Sequence, residues 1–296
     1  MSGLLIILLL VQSYLALVPL RADEERSFLQ EDDQTDYLPQ TDNTGVQFTF
    51  RYVDHGGIVH FSRPSSPVVT VQASSNVSYL ALEKAAITVS RMVRHSPFDV
   101  FFGLSKAQGV GVFTKQETLT IFPDFKNLKD TPECHGRCNG SCSHTCTADG
   151  RKYQSIAGVT NHMSVVLEDN VLCNSQDPYN HRLNVLSHEF SHQIFKNVPS
   201  SYRNKIKESY HYAIEHHLWS KSYATTTPHE YWAEATTAFF LTGIRGKSLS
   251  GGMNMCNHMS TICPDEMAAR KNIQSNDPKL FDVLEDVYTN GNSLVP

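Results

Sequence analysis

The chain has 296 residues, 40% of them hydrophobic and 19% charged, and its 25 basic against 30 acidic side chains leave a formal net charge of −5. That length is enough for one domain with a large core or two lobes. The charge is mild, and with no basic stripe and no nucleic-acid motif it excludes nucleic acid as a partner.

From the amino terminus, Leu4 to Leu20 is an apolar run followed at once by acidic residues. It reads as a signal peptide over residues 1–22, cut between Ala16 and Ala22, ahead of the alternative of an uncleaved anchor. The chain is therefore expected outside the cell. No other stretch approaches membrane length, so no stable membrane association is expected after cleavage. Residues 23–45, with Glu24, Glu25, Glu31, Asp32, Asp33 and Asp36, have little to bury and read as an acidic leader or propeptide. Residues 46–296 are expected to form a single domain.

Residues 47–52 and 58–61 predict a hairpin turned at Asp54-His55-Gly56-Gly57, with His55 and His60 as turn and strand residues. Residues 78–95 predict an amphipathic helix with Leu80, Ala81, Ala85, Val89, Met92 and Val93 inward. Residues 99–102 and 118–122 predict strands, with a bend at Gly109-Val110-Gly111 between them. Residues 161–168 alternate around Met163, Val165 and Leu167. That strand is expected at the edge of a sheet, where an extended peptide can add to it.

The seven cysteines stand at 134, 138, 142, 146, 173, 256 and 263. In a secreted chain they read as disulfides. Cys256 and Cys263 close a small loop, and the insertion 134–146 together with Cys173 leaves an odd thiol. A metal site of Cys134, Cys138, Cys142 and Cys146 is disfavoured by its spacing and by an oxidising compartment. Asn76 and Asn139 each open an Asn-x-Ser glycosylation acceptor, and the second places the cysteine cluster at the surface.

Val185 to Phe195 contains His188-Glu189-Phe190-Ser191-His192. On a helix, positions i and i+4 lie one turn apart on one face, so both histidines can reach one metal ion. Two neutral imidazoles suit Zn²⁺, and Glu189 is placed to take a proton from a water that the ion activates. Asp177-Pro178 predicts the start of this helix, and Asn197 with Pro199 its stop. Leu183, Leu186, Phe190 and Ile194 form an apolar stripe opposite the histidines. Residues 202–218 predict a further helix with Ile206, Tyr210, Ala213, Ile214 and Leu218 inward; His211, His216 and His217 on it read as surface residues.

Thr227 and Pro228 open another helix, running to about Gly243, on which Glu230 and Glu234 are again i and i+4. Glu230 is the expected third metal ligand, with Glu234 accepting the remaining N–H of a ligating histidine. Thr227-x-x-Glu230 equally fits a capping box, in which case Glu234 would be the ligand. His229 beside them is expected at the rim.

His-Glu-x-x-His followed by Glu-x-x-x-Glu resembles the gluzincin zinc metallopeptidases. Within that class, Glu230-Tyr231-Trp232-Ala233-Glu234 resembles the catalytic domain of anthrax lethal factor and its relatives, which carry Glu-Phe-Phe-Ala-Glu there. Asn276-Asp277-Pro278-Lys279-Leu280-Phe281 resembles the start of that family's last helix. The likeness runs from about residue 180 to the carboxyl terminus. It implies an α+β zincin-like fold, a twisted sheet packed with the His-Glu-x-x-His helix and a mainly helical carboxyl-terminal lobe from residue 180. It implies one catalytic Zn²⁺ on His188, His192 and Glu230, and a peptide or protein as substrate. Because the family has a tyrosine seven residues before its glutamate ligand, it also implies Tyr223 as the donor to a developing oxyanion. The metzincin pattern needs a glycine at 195 and a histidine at 198, where this chain has Phe195 and Val198. No Gly-Ala-Met-Glu-Asn element of the aminopeptidases is present, which favours an endopeptidase. The rival reading is a secreted binding protein on a catalytically inactive scaffold of this kind. Nothing in the sequence specifies an oligomeric state.

Overall fold

The structure, a computed structural model, describes residues 40–41, 45–243 and 246–292. The expected signal peptide and most of the acidic leader lie outside them. The first strands are β1 (Gln40–Thr41), β2 (Gln47–Val53), β3 (Val59–His60) and β4 (Val69–Ser74), with β2 antiparallel to all three others. The expected β2–β3 hairpin is present. Asp54 holds its turn by accepting from the Ile58 N–H, while its other oxygen lies 2.8 Å from the His60 ring.

The centre of the sheet is parallel. β4 pairs with β5 (Val110–Phe113) and β5 with β7 (Ser164–Leu167), while β6 (Gly158–Thr160) closes the sheet antiparallel to β7. The strand order is β1-β2-β4-β5-β7-β6. β5 and β7 are buried throughout, as parallel strands covered on both faces must be. The expectation of an edge strand over 161–168 is corrected: β7 is internal, and β6 forms the edge.

Helix α1 (Tyr79–Val93) is capped by Ser78, which accepts from the Ala81 N–H. It turns Ala81, Ala85, Val89, Met92 and Val93 to the core. Leu80 stands one position off that stripe and is 56% exposed, contrary to expectation. Two predicted strands are absent for local reasons. Residues 98–104 form α2 (Phe98–Leu104), because Val100, Phe101 and Leu104 bury at helical spacing behind Pro97. Residues 119–121 form one 3₁₀ turn, capped by the Thr118 hydroxyl and followed by Pro123. The strand lies instead where the bend was expected. Gly109 has φ +76°, and a Cβ there would stand 2.0 Å from the Thr70 carbonyl oxygen; its absence lets β5 close on β4.

α3 (Glu168–Leu172) follows β7. The histidine-bearing helix, α4 (Val185–Asn197), begins later than Asp177-Pro178 suggests. Asp177 instead accepts from the Tyr179 and His181 N–H groups, and Asn180 and His181 take left-handed φ of 50° and 61°. Asn184 caps the helix, accepting from the Ser187 N–H at 3.0 Å. On its inner face Leu186, Phe190 and Ile194 are 1% exposed or less, each burial stabilising the fold by about 1.5–3 kcal/mol.

The remaining elements are mostly helical: α5 (Ser200–Glu215), α6 (Pro228–Phe239), α7 (Lys247–Ser250), α8 (Glu266–Asn276) and α9 (Pro278–Thr289). On α5, Ile206 and Ala213 are buried, but Ile214, expected inward, is exposed. The small strands β8 (Met255–Cys256) and β9 (Thr261–Ile262) are joined by the Cys256–Cys263 disulfide. In the insertion, Cys134 pairs with Cys142 and Cys138 with Cys146, around the Lys152 ammonium, so these four are not metal ligands. Cys173 is the free thiol. The molecule is a mixed α+β fold. Among the described residues, no helix is long and apolar enough to cross a membrane.

Candidate metal centre

Helices α4 and α6 converge, and the start of α4 is tied to the segment after α6. The Asn184 N–H donates to the Thr242 carbonyl, and the Ser187 and Thr242 hydroxyls lie 2.6 Å apart. This brings three donors together from two helices. Nε2 of His188 and Nε2 of His192 lie 3.2 and 3.6 Å from Oε2 of Glu230. His188, His192 and Glu230 form a group whose ligand atoms all lie within 4.8 Å of one another.

A cation fits this donor set. Ligands about 2.0–2.1 Å from a tetrahedral Zn²⁺ stand about 3.3 Å apart, close to the two separations observed. Glu230 Oε2 is buried, and no donor reaches it in hydrogen-bonding geometry. The Glu234 side chain is 0% exposed and places Oε1 3.3 Å from Nδ1 of His188, on the far side of that ring. Two carboxylates thus crowd two imidazoles away from water, and an unpaired buried charge is costly. Burial alone would push His188 down, yet the adjacent Glu230 and Glu234 carboxylates raise it to about 10. Burial likewise opposes the Glu230 charge, and the two imidazoles hold it well below the usual carboxylate range. The site therefore takes up a proton when it has no other cation.

The capping-box alternative is half realised. Thr227 accepts from the Glu230 N–H at 3.1 Å, but the Glu230 side chain turns to the imidazoles. Glu189, on the α4 turn between the histidines, sets its carboxylate 3.0 Å from the Thr160 hydroxyl. Tyr223 opens a 3₁₀ turn over Tyr223–Thr225 and is 40% exposed. Burial pushes its hydroxyl up, and the Glu230 carboxylate beside it pushes it further, so it stays protonated and able to donate. His229 packs on Phe195, ring centroids 4.2 Å apart, and 6.3 Å from His192, which places it at the rim and outside the donor group. Burial, and after it the neighbouring His192 ring, pushes His229 down.

Two supporting sets of contacts carry no sequence signal of their own. Asp277, fully buried, accepts from Tyr231 Oη at 2.6 Å and Trp219 Nε1 at 2.9 Å, linking the neighbour of Glu230 to the segment before Tyr223. Gln193, on α4, donates to the carbonyls of Gly109 and His162. His211, His216 and His217 are exposed, as expected.

Comparison with protein-family models and with curated proteins gives no match. Among solved structures, the PRO-PRO endopeptidase PPEP-2 from Paenibacillus alvei is similar at a TM-score of 0.42 and 17% identity, over 73% of this chain and 96% of that one. A likeness of that degree carries no argument about function, and the chemistry of the site has to stand alone.

Proposed function

We infer that this chain is a secreted zinc metalloendopeptidase on a zincin-like scaffold, similar in its metal motif to the lethal-factor type of gluzincin. The observation that carries the reading is the three-donor group of His188, His192 and Glu230, with Glu189 and Tyr223 beside it. These three side chains would hold the ion, and Glu234 fixes the His188 ring through Nδ1. When bound, Zn²⁺ supplies Lewis-acid polarisation of the scissile carbonyl and lowers the pKa of water toward about 7.

The chain's own residues do the rest. Glu189 takes a proton from the attacking water and returns it to the leaving amine. Tyr223 donates to the carbonyl oxygen as negative charge develops there. Glu234 faces Nδ1 of His188 and so cannot serve as a fourth ligand alongside Nε2, which favours an open, catalytic site over a closed structural one. An extended peptide can add to the outer edge of β6, which borders α4. Three disulfides, and the exposed acceptor Asn139, support an oxidising, extracellular setting.

Zinc-loaded protein is expected to cleave a peptide library, to lose cleavage with chelator and to regain it with zinc. Glu189→Gln should keep stoichiometric zinc while turnover falls by more than about 10³-fold. Turnover retained in that variant would instead favour another base, and absence of any cleavage by the wild type would favour the inactive binding scaffold.

A further inference from the structure

We propose that Thr160 is a positioning residue that holds the Glu189 carboxylate against the edge strand, an inference resting on the reading of Glu189 as the general base. Thr160 ends β6, and its hydroxyl carries a single proton with three acceptors in reach. These are the Glu189 carbonyl at 2.7 Å, Glu189 Oε2 at 3.0 Å and Ser164 Oγ at 2.9 Å. The Ser164 hydroxyl itself donates to the Glu189 carbonyl at 3.0 Å. Because Ser164 already gives that carbonyl one donor, the Thr160 proton is free to go to Oε2. It fixes one carboxylate oxygen and leaves the other, Oε1, to exchange a proton. Once Glu189 has taken up that proton, the Thr160 hydroxyl still has the carbonyl at 2.7 Å as an acceptor, so the change leaves no donor unpaired.

The approach of β6 to α4 that makes this contact is built into the strand. Residues two apart share a strand face, so Gly158 faces α4 with Thr160. A Cβ on Gly158 would stand 2.4 Å from Val185 Cγ1 and 3.2 Å from Glu189 Cγ. Only a residue without a side chain lets the strand lie this close. Beyond Thr160 the turn is pinned from both sides. Lys196 Nζ donates to the carbonyls of Thr160 and Asn161, and Asp124 accepts from the His162 and Met163 N–H groups. Thr160 is therefore fixed with respect to the helix that carries the histidines, and a fixed hydroxyl can fix what it binds.

Thr160→Val keeps the branched shape and the main chain of β6 and removes the proton. It should lower kcat about 10- to 100-fold, the scale of effect that a small misplacement of a reacting group produces. KM, zinc stoichiometry and Tm should stay at wild-type values. Thr160→Ser should restore kcat, and a crystal structure of zinc-free Thr160→Val should show the Glu189 carboxylate in more than one position. Gly158→Ala, which pushes the strand off α4 with Thr160 intact, should reproduce the kcat loss. Wild-type kcat in folded Thr160→Val, a single unmoved Glu189, or a loss that follows Tm alone would overturn the proposal. A wild type with no peptidase activity would fail the underlying reading instead, and that arm is measured first.

Discussion

In the cysteine-rich insert four oxygens converge on one ammonium, whereas at the histidine site the carboxylates of Glu230 and Glu234 face imidazoles. Lys152 Nζ lies 2.7 Å from Asp130 Oδ1, 2.6 Å from the carbonyls of Cys134 and Arg137, and 2.7 Å from Thr145 Oγ1. There the Lys152 ammonium is the fixed counter-charge of Asp130, and two disulfides lock the cluster. The donors on α4 and α6 are brought together just as closely, but there Glu230 faces two imidazoles instead of an ammonium. A permanent ammonium serves structure, whereas an imidazole can exchange its proton for a metal ion.

The sharpest way to break this contrast is a pair of substitutions. Glu230→Ala should abolish zinc binding and lower peptide turnover by more than about 10³-fold. Lys152→Met should leave both intact in the folded protein. Metal analysis and turnover on the same preparations decide it, and loss of zinc in Lys152→Met would end the contrast. Glu234→Gln should weaken zinc about 10- to 100-fold by freeing the His188 ring, read by competition with a chromogenic chelator.

Stability should separate the regions the other way. Lys152→Met leaves several oxygens without their donor and should cost about 1–3 kcal/mol in urea unfolding. Reducing a disulfide that closes a loop of this size should cost about 2–3 kcal/mol. Chelator should add little to either loss.

The smallest effect is a proton count. Because Glu230 and Glu234 raise His188 to about 10, metal-free protein at pH 7 carries that proton, and binding through Nε2 requires it to leave. Calorimetry in buffers of different ionisation enthalpy should find about one proton released per zinc at pH 7, fading as pH passes about 10. The sign also fixes the metal-free stability. The imidazolium–carboxylate contribution is whole below the unfolded value near 6.5 and is lost as pH rises through about 10.

Much of the site was legible because it is periodic. His188 and His192, and Glu230 and Glu234, each lie one helical turn apart, and a turn is a property that spacing records. A cap was legible at Thr227, where one side chain does the work. The same kind of signal misled at Asp177, whose carboxylate braces a left-handed loop. The strands failed where a short apolar run was ambiguous: Val100-Phe101 packs as helix, and Val110–Phe113 overlaps the Gly109-Val110-Gly111 stretch that reads as a bend. Thr160 was invisible because its partner is 29 positions away, across a sheet edge whose identity depends on strand order.

Strand order has one more consequence. β6 runs opposite to β5, with β7 between them, so the excursion over residues 114–157 departs from and returns to the same end of the sheet. Its two ends are separated by only two interstrand spacings, about 10 Å. Leu119, Phe122 and Phe125 bind its first part to the interior. Exchanging the portion that carries the two interleaved bridges for a shorter loop should therefore leave the strand that carries Thr160 in its seat.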